Sequence, residues 1–382
     1  MSRVQRRKPR KQQARPLQAL KKIAFTIDSM DPLGQGVSRE GDNVYFISKT
    51  LPGEQGTARV VKSKKQVHFA RLESLETTAP NRIESECPHF ASCPGCDFLH
   101  TDYASELGYK KAAMEKYLGK LKPDALEITL VPAPERFAYR NRMQLHYRHK
   151  YLGLIDSQTD QVVEIPECKM IRPELQLVMQ ALYRDKSWSK EQAGSGHCEI
   201  YLKQGEASIA WNEEYAHGGF TQVNETMNEQ LKQNLKAQLE GESYQSLLDL
   251  FAGNGNLSDV LVCENTRRVM VDFSADNGAD NYLQLNLYDE EALARFQRRC
   301  KDKAFDVLLV DPPRKGFPQL AEWVQAFKPA WLLYVSCNPV TLARDLSTLQ
   351  GRFTVDAIQL LDMFPGTHHF ESLISINFKR HE

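Results

Sequence analysis

The residues of this chain that could do chemistry are a cysteine at the end of an apolar run, two carboxylates, a glycine-bearing turn and four spaced cysteines. Cys337 closes the run Leu332-Leu333-Tyr334-Val335-Ser336-Cys337 and is followed by Asn338-Pro339-Val340-Thr341-Leu342-Ala343-Arg344-Asp345. Asp311 opens Asp311-Pro312-Pro313-Arg314-Lys315-Gly316, and Glu371 closes a stretch from Asp362 that also holds His368 and His369. A thiolate is a nucleophile, and carboxylates and imidazoles are bases. Taken alone, Cys337 reads as a buried structural thiol and 362–371 as a solvated loop. In combination they suit a reaction at a pyrimidine. A thiolate adding to C6 of uracil gives an enolate whose C5 attacks an electrophilic methyl, and a base then removes the C5 proton so that the thiol can leave. That sequence needs a nucleophile, a methyl donor, a group holding the base edge and a general base, and the chain offers a candidate for each.

The surrounding pattern must bring these residues together. Pro339 pushes Asn338 out of the α region, so the apolar run ends as a strand, and proline suits the first position of the following helix. Cys337 is thus expected at the carboxyl end of a strand, with a helix N-terminus beside it favouring the thiolate. Leu248-Asp249-Leu250-Phe251-Ala252-Gly253-Asn254-Gly255-Asn256 joins a strand to a helix through two glycines, which allow close approach of backbone to ligand. Asp272 ends the next strand, sixteen residues after Asn256, where an acid can bind a ribose diol. No third glycine or P-loop lysine follows, so adenosine without phosphates, as in S-adenosylmethionine, fits better than a phosphate ligand. Strands at Ser246–Phe251, Arg268–Asp272, 306–311 and Trp331–Ser336 alternate with helical segments after residue 225. This is the βαβ rhythm of a parallel sheet covered on both faces.

Upstream, short strands and turns between Ile23 and Leu72 read as a small β-barrel with Lys49, Lys62, Lys64 and Lys65 among them. Cys87, Cys93 and Cys96 follow, and Cys168 comes after seventy-one intervening residues. Four thiolates fit either zinc or an iron–sulfur cluster, and the spacing leaves both open. A helix is expected over 101–121, with Tyr103, Leu107, Met114, Leu118 and Leu121 on one face. Tyr139-Arg140-Asn141-Arg142 and Gln144–Arg148 alternate as a basic, aromatic strand that could contact nucleic acid or simply face solvent. Residues 1–22 carry nine Lys or Arg and no acid, which suits a polyanion, although the net charge of the 382 residues is zero. No apolar run spans a bilayer and no secretory pattern opens the chain, so the eight cysteines point to a reducing cytoplasm.

The segments around Cys337, Asp311, Leu248–Asn256, Phe220-Thr221-Gln222-Val223-Asn224 and Leu361–Glu371 resemble, in the same order, the signatures of the RNA (uracil-5-)-methyltransferases. The branch acting on 23S ribosomal RNA is the more similar one, from about Ile23 to Phe378. The resemblance implies an α/β, Rossmann-like S-adenosylmethionine-dependent domain (218–382), a TRAM-like barrel (23–78) and a central α+β iron–sulfur domain (79–217). The arm at 1–22 precedes these, and the helix at 101–121 is expected to pack on the catalytic domain. It implies Cys337 as nucleophile, Glu371 as base and Asp311 beside methyl donor and uracil. It further implies S-adenosylmethionine contacts at Gln222, Phe251, Gly253, Asn256, Asp272, Asn286 and Asp311, and 4Fe–4S ligation by Cys87, Cys93, Cys96 and Cys168. A cytoplasmic monomer acting on ribosomal RNA is expected. Ala252, Pro94, Asp97 and Asp272 depart from the family's usual Cys, Gly, Gln and Glu, and the segment from Asp272 to Asn286 is short. Competing readings are a transfer RNA uridine enzyme, an RNA cytosine-5 methyltransferase and a non-catalytic RNA-binding or ribosome-assembly protein. The loop after Asp311 lacks the second cysteine of cytosine-5 enzymes, and a binder would need neither Cys337 nor Glu371.

Overall fold

The computed structural model describes residues 21–119, 121, 125–192, 194–213, 222–273, 281–351 and 353–378. All but the last two residues of the basic arm, and Phe220 and Thr221, lie outside the described residues.

The largest sheet has eight strands: β1 (Ile128–Val131), β2 (Ser246–Leu250), β3 (Arg267–Asp272), β4 (Tyr282–Gln284), β5 (Val307–Val310), β6 (Trp331–Ser336), β7 (Thr354–Leu361) and β8 (Glu371–Asn377). Their order is β4-β3-β2-β5-β6-β8-β7-β1. Every pairing is parallel except those of β8, which runs antiparallel to both neighbours. Strands β2, β5, β6 and β8 are buried at every position, as near-continuous apolar runs require when both faces are covered. Alternate side chains enter two cores. Leu248, Leu250, Leu308 and Leu332 face one with helices α1 (Tyr103–Leu118), α3 (Ala292–Arg299), α4 (Leu320–Phe327) and α5 (Pro339–Leu346). Leu247, Leu309 and Leu333 face the other with α2 (Glu225–Ala237), through Met227, Leu231 and Leu235.

Two elements come from the middle of the chain. β1 adds to the edge of the sheet alongside β7, and α1 inserts Met114 and Leu118 beneath it. The unit drawn at 79–217 therefore donates a helix and a strand to the catalytic sheet. The helix also differs from the expected apolar stripe, because it buries Glu106 and Lys110 beside Met114 and Leu118.

The remaining strands form two smaller sheets. Residues 22–77 make a six-stranded sheet with its own core of Ile23, Phe25, Ile27, Tyr45 and Ile47. Residues 142–211 make a five-stranded sheet packed on the helix Pro173–Arg184, which sequence patterning left unread. The stretch Tyr139–Arg142 is a clamp here and not an open face. The Tyr139 hydroxyl donates to the Pro365 carbonyl (3.1 Å), and the Asn141 amide donates to the Gln222 carbonyl (3.2 Å) and the Glu225 carboxylate (2.9 Å). Tyr139 and Arg142 are both buried.

Candidate active site

Parallel strands present their carboxyl ends at one edge of the sheet, and that edge gathers Phe251, Asp272, Asp311 and Cys337 just at or past β2, β3, β5 and β6. β8 runs the other way, so its first residue, Glu371, arrives at the same edge. The last pair in the β6–β8 ladder is Ser336 with Ser372, which sets Cys337 and Glu371 one step further on, on adjoining strands. Asp311 follows β5 on the far side of β6, with its N–H donating to the Leu250 carbonyl (3.3 Å). The structure thus brings together the nucleophile, base and carboxylate expected from sequence.

The turn after Cys337 forms as its residues dictate. Asn338 is extended, its side chain accepts from the Val340 N–H (3.1 Å), and Pro339 starts α5. The amide of Asn338 (2.8 Å) and the hydroxyl of Thr341 (3.2 Å) both donate to the Arg314 carbonyl, and Arg344 donates to that of Lys315 (2.8 Å). Beneath them, fully buried Asp345 accepts from the Phe317 N–H (2.6 Å) and the Tyr334 hydroxyl (2.7 Å) as well as Arg344. Gly316 has φ +72°, and a Cβ there would stand 2.4 Å from the Asp345 carboxylate. Sequence reading gave Arg344 and Asp345 no role. They latch the helix that follows Cys337 to the loop carrying Asp311 and Arg314.

The electrostatics correct one expectation. The helix N-terminus does not make Cys337 a thiolate in the free protein. Burial, then Glu371 and Asp311, push its thiol up to about 12, against a smaller opposing effect of Arg314. Burial lifts Asp311 to about 7 with Asp249 adding to it, and burial and then Asp311 lift Glu371 well above the usual carboxylate range. Both carboxyls therefore favour the protonated form more than an ordinary carboxylate does. Alkylation of Cys337 by iodoacetamide in the free protein should therefore be slow, rising about tenfold per pH unit between about pH 7 and pH 9, because only the thiolate reacts. A rate already level at neutral pH in peptide mapping would contradict this. Of the two histidines, His369 is a poor base: burial, His368 and Arg314 push it down to about 3.

The proposed methyl-donor contacts are arranged unevenly. Phe251 takes φ +64°, between Tyr288 and Phe317 at ring distances of 5.4 and 5.1 Å. Gly253 donates its N–H to the Asp272 carboxylate (3.0 Å), which ties the glycine turn to the end of β3. Asn256 exchanges two amide hydrogen bonds with Asn228 of α2 (2.9 and 3.1 Å), a partner that sequence reading missed. The Asn286 side chain closes a local turn, donating to Asp289 (2.8 Å) and accepting from the Tyr288 N–H (3.1 Å). Gln222 lies just before α2, where its carbonyl accepts from the Asn141 amide (3.2 Å).

Cys87, Cys93, Cys96 and Cys168 are all free thiols, with Cys87, Cys96 and Cys168 around one small core of Phe90, Leu99, Tyr139 and Met170. Burial raises Cys96, and Cys168, Cys93 and Cys87 raise it further, so all four sulfurs are within electrostatic reach of one another. Among the described residues no group of three or more His, Cys, Asp or Glu is arranged to hold a metal ion. The donor chemistry of four thiols nevertheless fits a soft metal or an iron–sulfur cluster rather than a hard cation. Lys49 donates to the carbonyls of Phe90 and Cys93, the latter at 2.8 Å, and thereby joins the N-terminal sheet to the cysteine loop.

The parallel sheet with its reversed strand β8, and the ligand edge just described, define an α/β S-adenosylmethionine-dependent methyltransferase fold. The tRNA (uracil-54, C5)-methyltransferase of Pyrococcus abyssi, solved with S-adenosyl-L-homocysteine, superposes with TM-score 0.68 at 21% identity, over 92% of this chain and 99% of that one. Residues 206–379 match the family model described as tRNA (Uracil-5-)-methyltransferase. Over those residues the chain is similar to the RNA (uracil-5-)-methyltransferases. It is 29% identical to the 23S rRNA (uracil(1939)-C(5))-methyltransferase RlmD of Pectobacterium carotovorum, over 92% of this chain and 93% of that protein. It is also 29% identical to RlmD of Aeromonas hydrophila, over 96% and 98%. Among the described residues no helix is long and apolar enough to cross a membrane.

Proposed function

We propose that this protein methylates C5 of a uridine in 23S ribosomal RNA, with Cys337 as nucleophile and Glu371 as base. The observation that carries the reading is the meeting of Cys337, Glu371 and Asp311 at one sheet edge beside the glycine turn. S-adenosylmethionine supplies the methyl group and, as a sulfonium, a positive charge that favours ionisation of the buried acids. Phe251, Gly253, Asp272 and Gln222 would hold it, with Asn256 and Asn286 shaping the walls. The Cys337 thiol gives up its proton to solvent, the thiolate sulfur adds to uracil C6, and the C5–C6 electron pair moves toward O4. C5 then takes the methyl group. Glu371 accepts the C5 proton, the electrons restore the C5–C6 double bond, and the C6–S bond breaks to return the thiolate. Asp311, on its stiff proline loop, is suited to hold the base edge and the donor in line.

Ribosomal RNA from cells lacking the gene, treated with purified protein and methyl-labelled donor, should gain label in 5-methyluridine at a single site. Label in 5-methylcytidine, or in transfer RNA alone, would overturn the reading.

The six-stranded N-terminal sheet is read as a TRAM-type RNA-binding module, and the protein as a monomer working in the cytoplasm. Cys87, Cys93, Cys96 and Cys168 would hold a 4Fe–4S cluster, and their thiol-only donor set supports this. Protein prepared without oxygen should be brown and release acid-labile sulfide. Stoichiometric zinc without sulfide would replace the cluster with a zinc site.

A further inference from the structure

The residue after the third cysteine reaches out of the cysteine loop and into the loop that carries the base. The Asp97 carboxylate accepts two hydrogen bonds from His368, one from its backbone N–H (2.9 Å) and one from its Nδ1 (2.7 Å). The backbone N–H groups of Asp97 and Phe98 both donate to the Gly366 carbonyl (2.8 and 3.0 Å). The contact leaves no slack, since a Cβ on Gly366, itself at φ +79°, would stand 2.9 Å from the Leu99 side chain. The His368 ring lies 4.0 Å from that of His369, centroid to centroid. His369 Nε2 in turn accepts from the Arg314 guanidinium (3.4 Å), the nitrogen lone pair being available because the ring is neutral. Arg314 is the cation that acts on both Cys337 and Glu371.

From this chain of contacts we infer that Asp97 is a positioning residue for the methyl-transfer site. Through His368 and His369 it aims the Arg314 guanidinium at the nucleophile and the base. Because it directly follows Cys96, it also makes the orientation of Arg314 depend on how the cysteine loop is held. Sequence comparison with the family marks Asp97 as a departure from the usual glutamine. Both bonds reach one oxygen, Oδ2, and its negative charge makes them stronger than those a neutral glutamine amide oxygen, one methylene further out, would accept.

The inference rests on the methyl-transfer reading, and the test separates the two. Asp97→Ala removes only the side-chain bonds. The backbone bonds from Asp97 and Phe98 to Gly366 remain, so the fold and the metal content should be retained. The groups facing Cys337 are Glu371, Asp311 and Arg314. With Arg314 released, the thiolate loses its countercharge. Alkylation of Cys337 at fixed pH, followed by peptide mass spectrometry so that exposed Cys263 is counted separately, should slow by about tenfold, the effect of one pKa unit. Turnover should fall by a similar factor in kcat with the KM for RNA unchanged. Because the two residues act in series, Asp97→Ala added to Arg314→Ala should slow alkylation no further than Arg314→Ala alone. His368→Ala leaves Asp97 beside the cysteines untouched and should give the same slowing, which guards against a variant that loses its metal. Unchanged alkylation in both variants, full additivity with Arg314→Ala, or a rise in KM alone would overturn the inference. If the unmodified protein made no 5-methyluridine, the methyl-transfer reading would fail instead, whatever the alkylation rates.

Discussion

Glu371→Gln protein, incubated with substrate RNA and methyl-labelled donor, is expected to carry the label with it on a denaturing gel. The substitution keeps the shape of the side chain and removes the base. In the proposed mechanism addition by Cys337 and methyl transfer precede the proton abstraction, so both should proceed, and elimination should stall. Methylated RNA then stays bonded to protein through the Cys337 sulfur. Cys337→Ala should form no adduct and no product, and the double variant should behave like Cys337→Ala, because the two groups act in sequence. Product release from Glu371→Gln should fall by at least about a hundredfold, the lower range for loss of a positioned base. Label found only in free RNA at the normal rate would show that Glu371 is a buried bystander. It would turn attention to His368, since His369 is held neutral against Arg314.

Lys110→Met should be the most destabilising single change away from the site. The Lys110 ammonium donates to Glu106 (2.8 Å), Asp362 (2.7 Å) and the Phe364 carbonyl (3.3 Å), and the side chains of Lys110, Glu106 and Asp362 are essentially without solvent. Glu106 also accepts from the Gly366 N–H (2.6 Å) and the Arg136 guanidinium (2.8 Å), and Asp362 accepts from the Tyr103 hydroxyl (2.7 Å). Methionine fills the space but leaves two buried carboxylates short of a cation. Removing one partner of such a set costs about 3–5 kcal/mol. The midpoint of a denaturant titration should fall accordingly, with an unchanged slope. A loss below about 1 kcal/mol would mean that water reaches the network. Methyl transfer should suffer as well, because the same bonds hold the 362–371 loop that delivers Glu371.

Much of the site was legible because local chemistry wrote it. Proline after asparagine marks the end of β6 and the start of α5, and Asn338 and Pro339 take the cap and first-turn positions they favour. Two glycines mark the turn after β2 in the same way. What escaped notice depends on residues far apart in sequence. Nothing near Lys110 announces a buried ammonium, since periodicity assigns charges to solvent, and its partner Asp362 lies two hundred and fifty-two residues away. The stretch Tyr139–Arg142 alternates like an exposed strand, yet its partners are Pro365, Gln222 and Glu225. The thiolate expected at Cys337 failed for a related reason. The helix N-terminus is visible in sequence, whereas the burial that outweighs it, and the two carboxyls that add to it, come from other strands.

The placement of β1 has a consequence for how the chain is made. It pairs with β7, residues 354–361, which leave the ribosome more than two hundred residues later. The N-terminal sheet pairs only within residues 22–77 and can close early in synthesis. The central residues cannot finish in the same way, because α1 and β1 must wait, with Met114, Leu118 and Ile128 uncovered, until the last strands emerge. Pairings this distant in sequence form slowly and leave apolar surface open to aggregation meanwhile. A nascent chain stalled before residue 354 would therefore present a folded head and a sticky middle, a natural client for chaperones that bind extended apolar segments.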